Sequence, residues 1–112
     1  ASIAYVTLSQ SLRTNKVYPY IKKFAKPHAV HGNTGNNWPV YRYAEVLLLL
    51  AEAINEQNRP GEADDYLNMV RNRAGLLNTS ASSQGDMREA IFKERRVELA
   101  FENKRWFDIV RT

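Results

Sequence analysis

Arg42-Tyr43-Ala44-Glu45-Val46-Leu47-Leu48-Leu49-Leu50-Ala51-Glu52-Ala53-Ile54-Asn55-Glu56 is the stretch on which the fold turns. Residues 43–57 contain no Gly or Pro, and apolar groups fall at Tyr43, Val46, Leu47, Leu50, Ala51 and Ile54, the spacing of a buried helical face. Leu48, Leu49 and Ala53 widen that face, which predicts a helix enclosed by neighbours on most sides. Asn58-Arg59-Pro60-Gly61 breaks it. Pro60 suits the first turn of a second helix, and Glu62, Asp64 and Asp65 place negative charge at its positive end. Ala63, Tyr66, Leu67, Val70 and Ala74 form its apolar stripe, Arg71 and Arg73 fall in the last turn, and Gly75 is the predicted stop. Two helices with so short a break pack antiparallel, as in one tetratricopeptide-like unit. One such pair cannot bury both of its faces, so a partner surface is required.

Further on, residues 78–85 read as a polar loop, and Asp86 with Glu89 three residues later reads as a capping box for a third helix over 87–102. Asn103 interrupts it, and residues 105–111 supply a further turn or two. On a helical wheel Ala90, Val97 and Phe101 cluster on one side of this helix, and Phe92 and Leu99 on another. Between them, on the arc of Met87 and Ile91, lie Glu94, Arg95, Glu98 and Glu102. Glu94 and Glu98, at i and i+4, are the pattern of a carboxylate metal site or an acid–base pair. A di-iron site wants histidines three residues after glutamates, and this helix has none. The better reading is a structural ion network. Arg95 reaches Glu98 along the helix, and Arg42, Arg105, Glu45 and Glu52 are the cross-helix candidates.

Composition narrows the alternatives. The 112 residues are enough for one small domain, and 44% hydrophobic with 25% charged residues is ordinary for a globular chain. With no cysteine there is no disulfide, zinc ribbon or thiol nucleophile. The longest apolar run, residues 46–51, is far too short to cross a bilayer. No export leader opens the chain, so one is expected upstream.

The net charge of +4 is uneven. Residues 1–40 hold Arg13, Lys16, Lys22, Lys23 and Lys26 with no acid, and residues 41–112 hold 11 basic against 12 acidic groups. Five dispersed cations make no nucleic-acid tract. Pro19, Pro27 and Pro39 and many polar residues make 1–40 a loop-rich basic segment with a short extended stretch over 17–24, ahead of a helical segment at 41–112.

These blocks also carry a family pattern. Residues 42–48 with Ala51-Glu52-Ala53 and Asn55-Glu56 resemble the "RYAEvlLmyAEA.NE" helix of the SusD/RagB family. Asn68-Met69-Val70-Arg71-Asn72-Arg73-Ala74-Gly75-Leu76 resembles its "iN.vR.RAGl" segment. Glu94-Arg95-Arg96-Val97-Glu98-Leu99-Ala100-Phe101-Glu102 followed by Arg105-Trp106-Phe107-Asp108-Ile109-Val110-Arg111 is similar to "ERRvELaFEg.RwfDlvR". Lys22-Lys23-Phe24 and Pro39-Val40 are fainter echoes, and the first twenty residues are not covered. Asn103 stands where the family often has Gly, and Asn tolerates the left-handed backbone next best.

The resemblance implies an all-α fragment of a larger SusD-like fold: a tetratricopeptide-like hairpin plus a third long helix, after an irregular N-terminal third. It implies a lipoprotein on the outer face of the bacterial outer membrane, anchored through an N-terminal cysteine outside this chain. Such a protein captures a glycan or another nutrient, in some relatives a peptide, and hands it to a SusC-like TonB-dependent transporter without catalysis or cofactor. The remaining N-terminal part of the protein would be its other partner.

Asn36, Asn37 and Trp38, with Asn33 and Tyr41 nearby, combine amides and aromatic faces as sugar sites do. A polar loop whose Trp38 packs on the first helix is the plainer alternative, since the family pocket is built largely by segments outside this chain. Trp106, beside Phe107, is expected in the core. His28 and His31 form an H-x-x-H pair without a third ligand, so no metal site is assigned. The competing functional class is a helical-repeat scaffold that binds proteins and no small ligand.

Overall fold

A computed structural model of the chain describes residues 3–8, 16–25, 30, 33, 35–37 and 39–111. Two compact units divide it, residues 1–38 and 39–112.

In the first unit, strands β1 (Ile3–Leu8) and β2 (Lys16–Ile21) pair antiparallel, from Ile3 opposite Ile21 to Leu8 opposite Lys16. The segment expected to be irregular thus holds a hairpin. The second strand overlaps the extended stretch expected over 17–24, the first was not anticipated, and Pro19, opposite Tyr5, is tolerated because each strand of a two-stranded ribbon has an open edge. A 3₁₀ turn, Lys22–Phe24, follows.

The second unit is helical: α1 (Tyr43–Glu56), α2 (Pro60–Arg73), α3 (Gln84–Glu98) and α4 (Arg105–Arg111). α1 packs on α2 and α3, and α2 on α3. Leu47, Leu48, Ala51 and Ile54 of α1, Ala63, Leu67 and Val70 of α2, and Met87 and Ile91 of α3 form the core. The inward face of α1 is rotated from the expected one, because Tyr43, Val46 and Leu50 are exposed while Ala44, Leu48 and Asn55 are buried. Leu47 to Leu50 place an apolar group on every side of the helix and leave its periodicity without a clear phase.

The joints are made by polar groups. Asn58, with φ of 60°, turns the chain between α1 and α2, and Pro60 opens α2 as expected. α2 closes in a Schellman motif: Gly75 sits at φ 76°, Leu76 N–H donates to Arg71 C=O at 2.9 Å, and Gly75 N–H to Asn72 C=O at 3.0 Å. Asn55 and Gln84 clasp the end of α1 to the start of α3. Asn55 Nδ2 donates to Gln84 C=O at 3.0 Å, and Gln84 Nε2 to Asn55 C=O at 2.8 Å. In the loop before α3, Asn68 Oδ1 accepts from Thr79 N–H at 2.9 Å.

The cap of α3 is Ser83, whose Oγ accepts from Asp86 N–H at 3.1 Å and donates to the Asp86 carboxylate at 2.7 Å. Asp86 therefore stands inside the first turn, and the helix starts earlier than the Asp86–Glu89 box implied. It also ends earlier, at Glu98. Phe101 and Asn103 then take left-handed conformations, φ 67° and 58°, and Glu102 N–H donates to Leu99 C=O at 3.1 Å. Asn103 is the interruption expected there. Phe101 is the strained member, since an L-residue in this region costs about 1–2 kcal/mol.

Candidate functional site

The charged stripe of α3 meets a different partner at each turn. Arg42, the residue before α1, donates through Nε to both oxygens of Glu102 at 3.0 Å. Its Nη2 donates to the Glu98 carboxylate at 2.9 Å and to Glu98 C=O at 3.1 Å. Arg73, at the end of α2, lies 2.7 Å from the same Glu98 oxygen. One turn back, Arg71 Nη1 donates to Glu94 at 2.9 Å, while its Nε donates to Leu77 C=O at 2.9 Å. Glu94, Glu98 and Glu102 thus tie α3 to the start of α1 and the end of α2. The Glu102 hydrogen bond, opposed by partial burial and reinforced by Glu98, raises the pKa of Arg42 above its ordinary value.

Arg95 points the other way. Its Nε lies 3.0 and 3.1 Å from the two Asp108 oxygens and its Nη2 2.8 Å from one of them, and both side chains are almost fully enclosed. Arg111 Nη2 donates to Asp108 at 3.1 Å and to Glu52 at 2.7 Å, and the Glu52 bond is the main reason its pKa is raised. Arg95 was expected to reach Glu98 along its own helix. Asp108 takes it instead, while Glu98 is held by Arg42 and Arg73 from the neighbouring helices.

A third group surrounds Tyr41. Lys104 Nζ sits 3.1 Å from Glu45 Oε2, donates to Val40 C=O at 2.6 Å, and lies 4.3 Å from the centre of the Tyr41 ring. Glu45 Oε2 is buried without an aligned hydrogen bond, so the Lys104 charge is what offsets its burial. Tyr41 itself is 69% exposed.

Of the residues singled out in the sequence, Arg42, Glu45, Glu52, Glu94, Arg95 and Glu98 all carry ion pairs. Arg105 does not. It is exposed at the first position of α4 and makes no ion pair among the described residues; Lys104, just before that helix, pairs with Glu45, and Arg111, at its end, pairs with Glu52. Arg71, Arg73 and Asp108 were missed. Asp108 had a signal, a lone carboxylate within Trp106-Phe107-Asp108-Ile109-Val110. Trp106 and Phe107 are exposed, contrary to expectation, because α4 turns Asp108 inward and its apolar groups outward.

Asn36 and Asn37 are exposed, and Asn36 Nδ2 donates to Phe24 C=O at 3.4 Å. They belong to the first unit and Tyr41 to the second. Trp38, His28 and His31 lie outside the described residues. Among the described residues no cluster of His, Cys, Asp or Glu could hold a metal ion, and no helix is long and apolar enough to cross a membrane.

Comparison with known proteins places this arrangement. The sequence model of the SusD family matches residues 2–112. SusD-like protein P2 of Formosa agariphila is 43% identical over 106 residues, which cover 83% of this chain and 21% of that protein. SusD-like protein P25 of the same organism is 38% identical over 101 residues, covering 84% of this chain and 19% of its own length. The crystal structure of a SusD-like protein from Bacteroides fragilis superposes with a TM-score of 0.64 at 43% identity, over 66% of this chain and 14% of that one. The chain thus spans about a fifth of the length of the curated relatives it matches.

Proposed function

This chain belongs to the SusD family, and on that premise we propose that it forms part of the binding component of a bacterial outer-membrane glycan uptake system. The whole protein captures a polysaccharide or oligosaccharide and passes it to a SusC-like TonB-dependent transporter, without catalysis. It is held on the outer face of the membrane by a lipid anchor outside these residues. The observation that carries this reading is the family match across residues 2–112.

Within that protein the chain's own contribution is chiefly a scaffold. Arg42, Glu45, Glu52, Glu94, Arg95 and Glu98 fix the crossings of α1, α2, α3 and α4 through their ion pairs. Tyr41, with its exposed ring beside Lys104, and the amides of Asn36 and Asn37 are the groups assigned to sugar contact, together with Trp38. An aromatic face and amide donors are what a pyranose ring offers surfaces for.

The experiment is a binding panel on the full-length protein: neutral and acidic polysaccharides and a peptide mixture, with co-purification of its transporter as the second readout. Saturable binding of one glycan class and recovery of the transporter support the proposal. Recovery of protein partners with no saturable small or polymeric ligand would favour a helical-repeat scaffold, a reading supported by the antiparallel α1–α2 hairpin.

A further inference from the structure

Among the described residues four buried side-chain polar atoms have no hydrogen-bond partner, and two of them, Glu45 Oε2 and Arg95 Nη1, belong to residues that line one cavity. The cavity, of about 240 Å³, lies where the first turn of α1 meets α3 and α4, and Tyr41 and Lys104 stand in its wall. The side chains of Glu45 and Arg95 are only 5% and 4% exposed. Their burial is set by the helices of this unit, and so it does not depend on how much polypeptide lies beyond it.

The neighbouring charges are already engaged elsewhere. Lys104 Nζ stands 3.1 Å from Glu45 Oε2, yet its aligned hydrogen bond goes to Val40 C=O at 2.6 Å. Asp108 takes Nε and Nη2 of Arg95 and leaves Nη1. An oxygen that wants a donor and an N–H that wants an acceptor, on the walls of one space, call for an occupant that is both. A hydroxyl is both. A carboxylate would meet Glu45 and Asp108, and an ammonium would meet Arg95, Lys104 and Arg111. The space is smaller than the roughly 300–1,000 Å³ of sites for drug-sized ligands, which limits the occupant to about one small ring. Lys104 covers one face of the Tyr41 ring, which is otherwise largely exposed and offers a flat surface to the C–H face of such a ring.

We propose that this cavity is a subsite for one uncharged pyranose residue. Tyr41 stacks on the ring, Glu45 accepts a hydrogen bond from a hydroxyl, and Arg95 donates one through Nη1. The ligand class rests on the glycan reading above. Of the groups already assigned to sugar contact the subsite takes only Tyr41, and it gives Glu45 and Arg95 a second task beside their ion pairs.

The test uses the full-length protein and saturation-transfer NMR with the methyl glycosides of glucose, galactose and mannose. The methyl glycoside of glucuronic acid is the charged control, and affinity for polysaccharides is measured alongside. At least one neutral glycoside should bind saturably, and the acidic one several-fold more weakly. Tyr41→Ala should weaken the bound glycoside about tenfold with a nearly unchanged thermal midpoint. Glu45→Gln, which keeps the size and loses the charge, should weaken it several-fold; if that variant unfolds early, the exposed Tyr41 still decides. Unchanged glycoside affinity in Tyr41→Ala would overturn the proposal, as would tighter binding of the acidic glycoside. Absence of transfer to every glycoside, in a protein that binds a polysaccharide, would overturn the subsite and leave the glycan reading standing. Glycoside binding that Tyr41→Ala weakens, with no polysaccharide bound, would support the subsite and sink the uptake reading.

Discussion

Arg42 and Glu102 stand sixty residues apart, yet the guanidinium of the first lies within hydrogen-bond reach of both oxygens of the second. Arg42 precedes α1, and Glu102 follows a strained left-handed Phe101 after α3. The bond therefore fixes where α3 ends as well as how it crosses α1. Arg42→Ala takes the guanidinium away from two largely enclosed carboxylates, Glu98 and Glu102, which costs about 3 kcal/mol by analogy with buried pairs, the lower end being apt because Arg42 is partly exposed. Urea titration should show a lower midpoint. A midpoint equal to the parent would mean that water replaces Arg42 at no cost.

Arg95 and Asp108 are more deeply enclosed, which makes the sign of a double replacement informative. Asp108→Leu alone strands a buried cation and should cost about 3–5 kcal/mol. Arg95→Met combined with Asp108→Leu should recover most of that loss, giving a coupling energy well outside additivity. Thermal melts of the two singles and the double measure it. Additive losses would show that the pair does not act as a unit.

The Asn103 backbone sits at φ 58°, a conformation Gly adopts freely and Asn tolerates. Asn103→Gly should keep or slightly raise stability, while Asn103→Ala should lose about 1 kcal/mol. Chemical denaturation of both variants separates this from loss of a side-chain contact, which would weaken the glycine variant too.

Glu56 is held below the usual carboxylate pKa by its hydrogen bond to Arg88, with desolvation opposing and the Arg88 charge adding to the effect. A depressed carboxylate contributes stability that is complete above its unfolded pKa and fades as the pH falls through the folded one. Arg88→Gln should therefore bring the NMR-detected titration of Glu56 back up toward its ordinary value, with an effect that salt reduces because the pair is exposed. An unmoved titration would show that Arg88 does not set it.

Much of this unit could be read from its residues, for identifiable reasons. Pro60, Gly75 and Asn103 are local signals, and each acts within a few residues of itself, so α1, α2 and the break after α3 were legible. The facing of α1 was not, because Leu47 to Leu50 are apolar on every side. Partner choice in the ion network was not either. Glu94, Glu98, Glu102 and Asp108 are equivalent to an arginine until the helix crossings decide which lies within reach, and so Arg95 went to Asp108 and Arg71 and Arg73 entered unforeseen. Ser83 and Asp86 are both competent caps, and only packing against Asn55 and Gln84 shows which begins α3. Of the hairpin, β2 was legible as the extended stretch over 17–24 despite Pro19, and β1 was not anticipated. Asn36 and Asn37 are where exposed amides were expected, with nothing in their surroundings to fix a ligand role.

Glu98 is the point where the scaffold claim is most exposed, because it holds both Arg42 and Arg73. The direct measurement is a paired one on the full-length protein, comparing Glu98→Ala with the parent for thermal midpoint and for affinity toward whichever ligand the binding panel selects. A lowered midpoint with unchanged affinity in the folded fraction is the predicted result. An unchanged midpoint with weakened affinity would contradict it, and would make the α3 carboxylates part of the binding site.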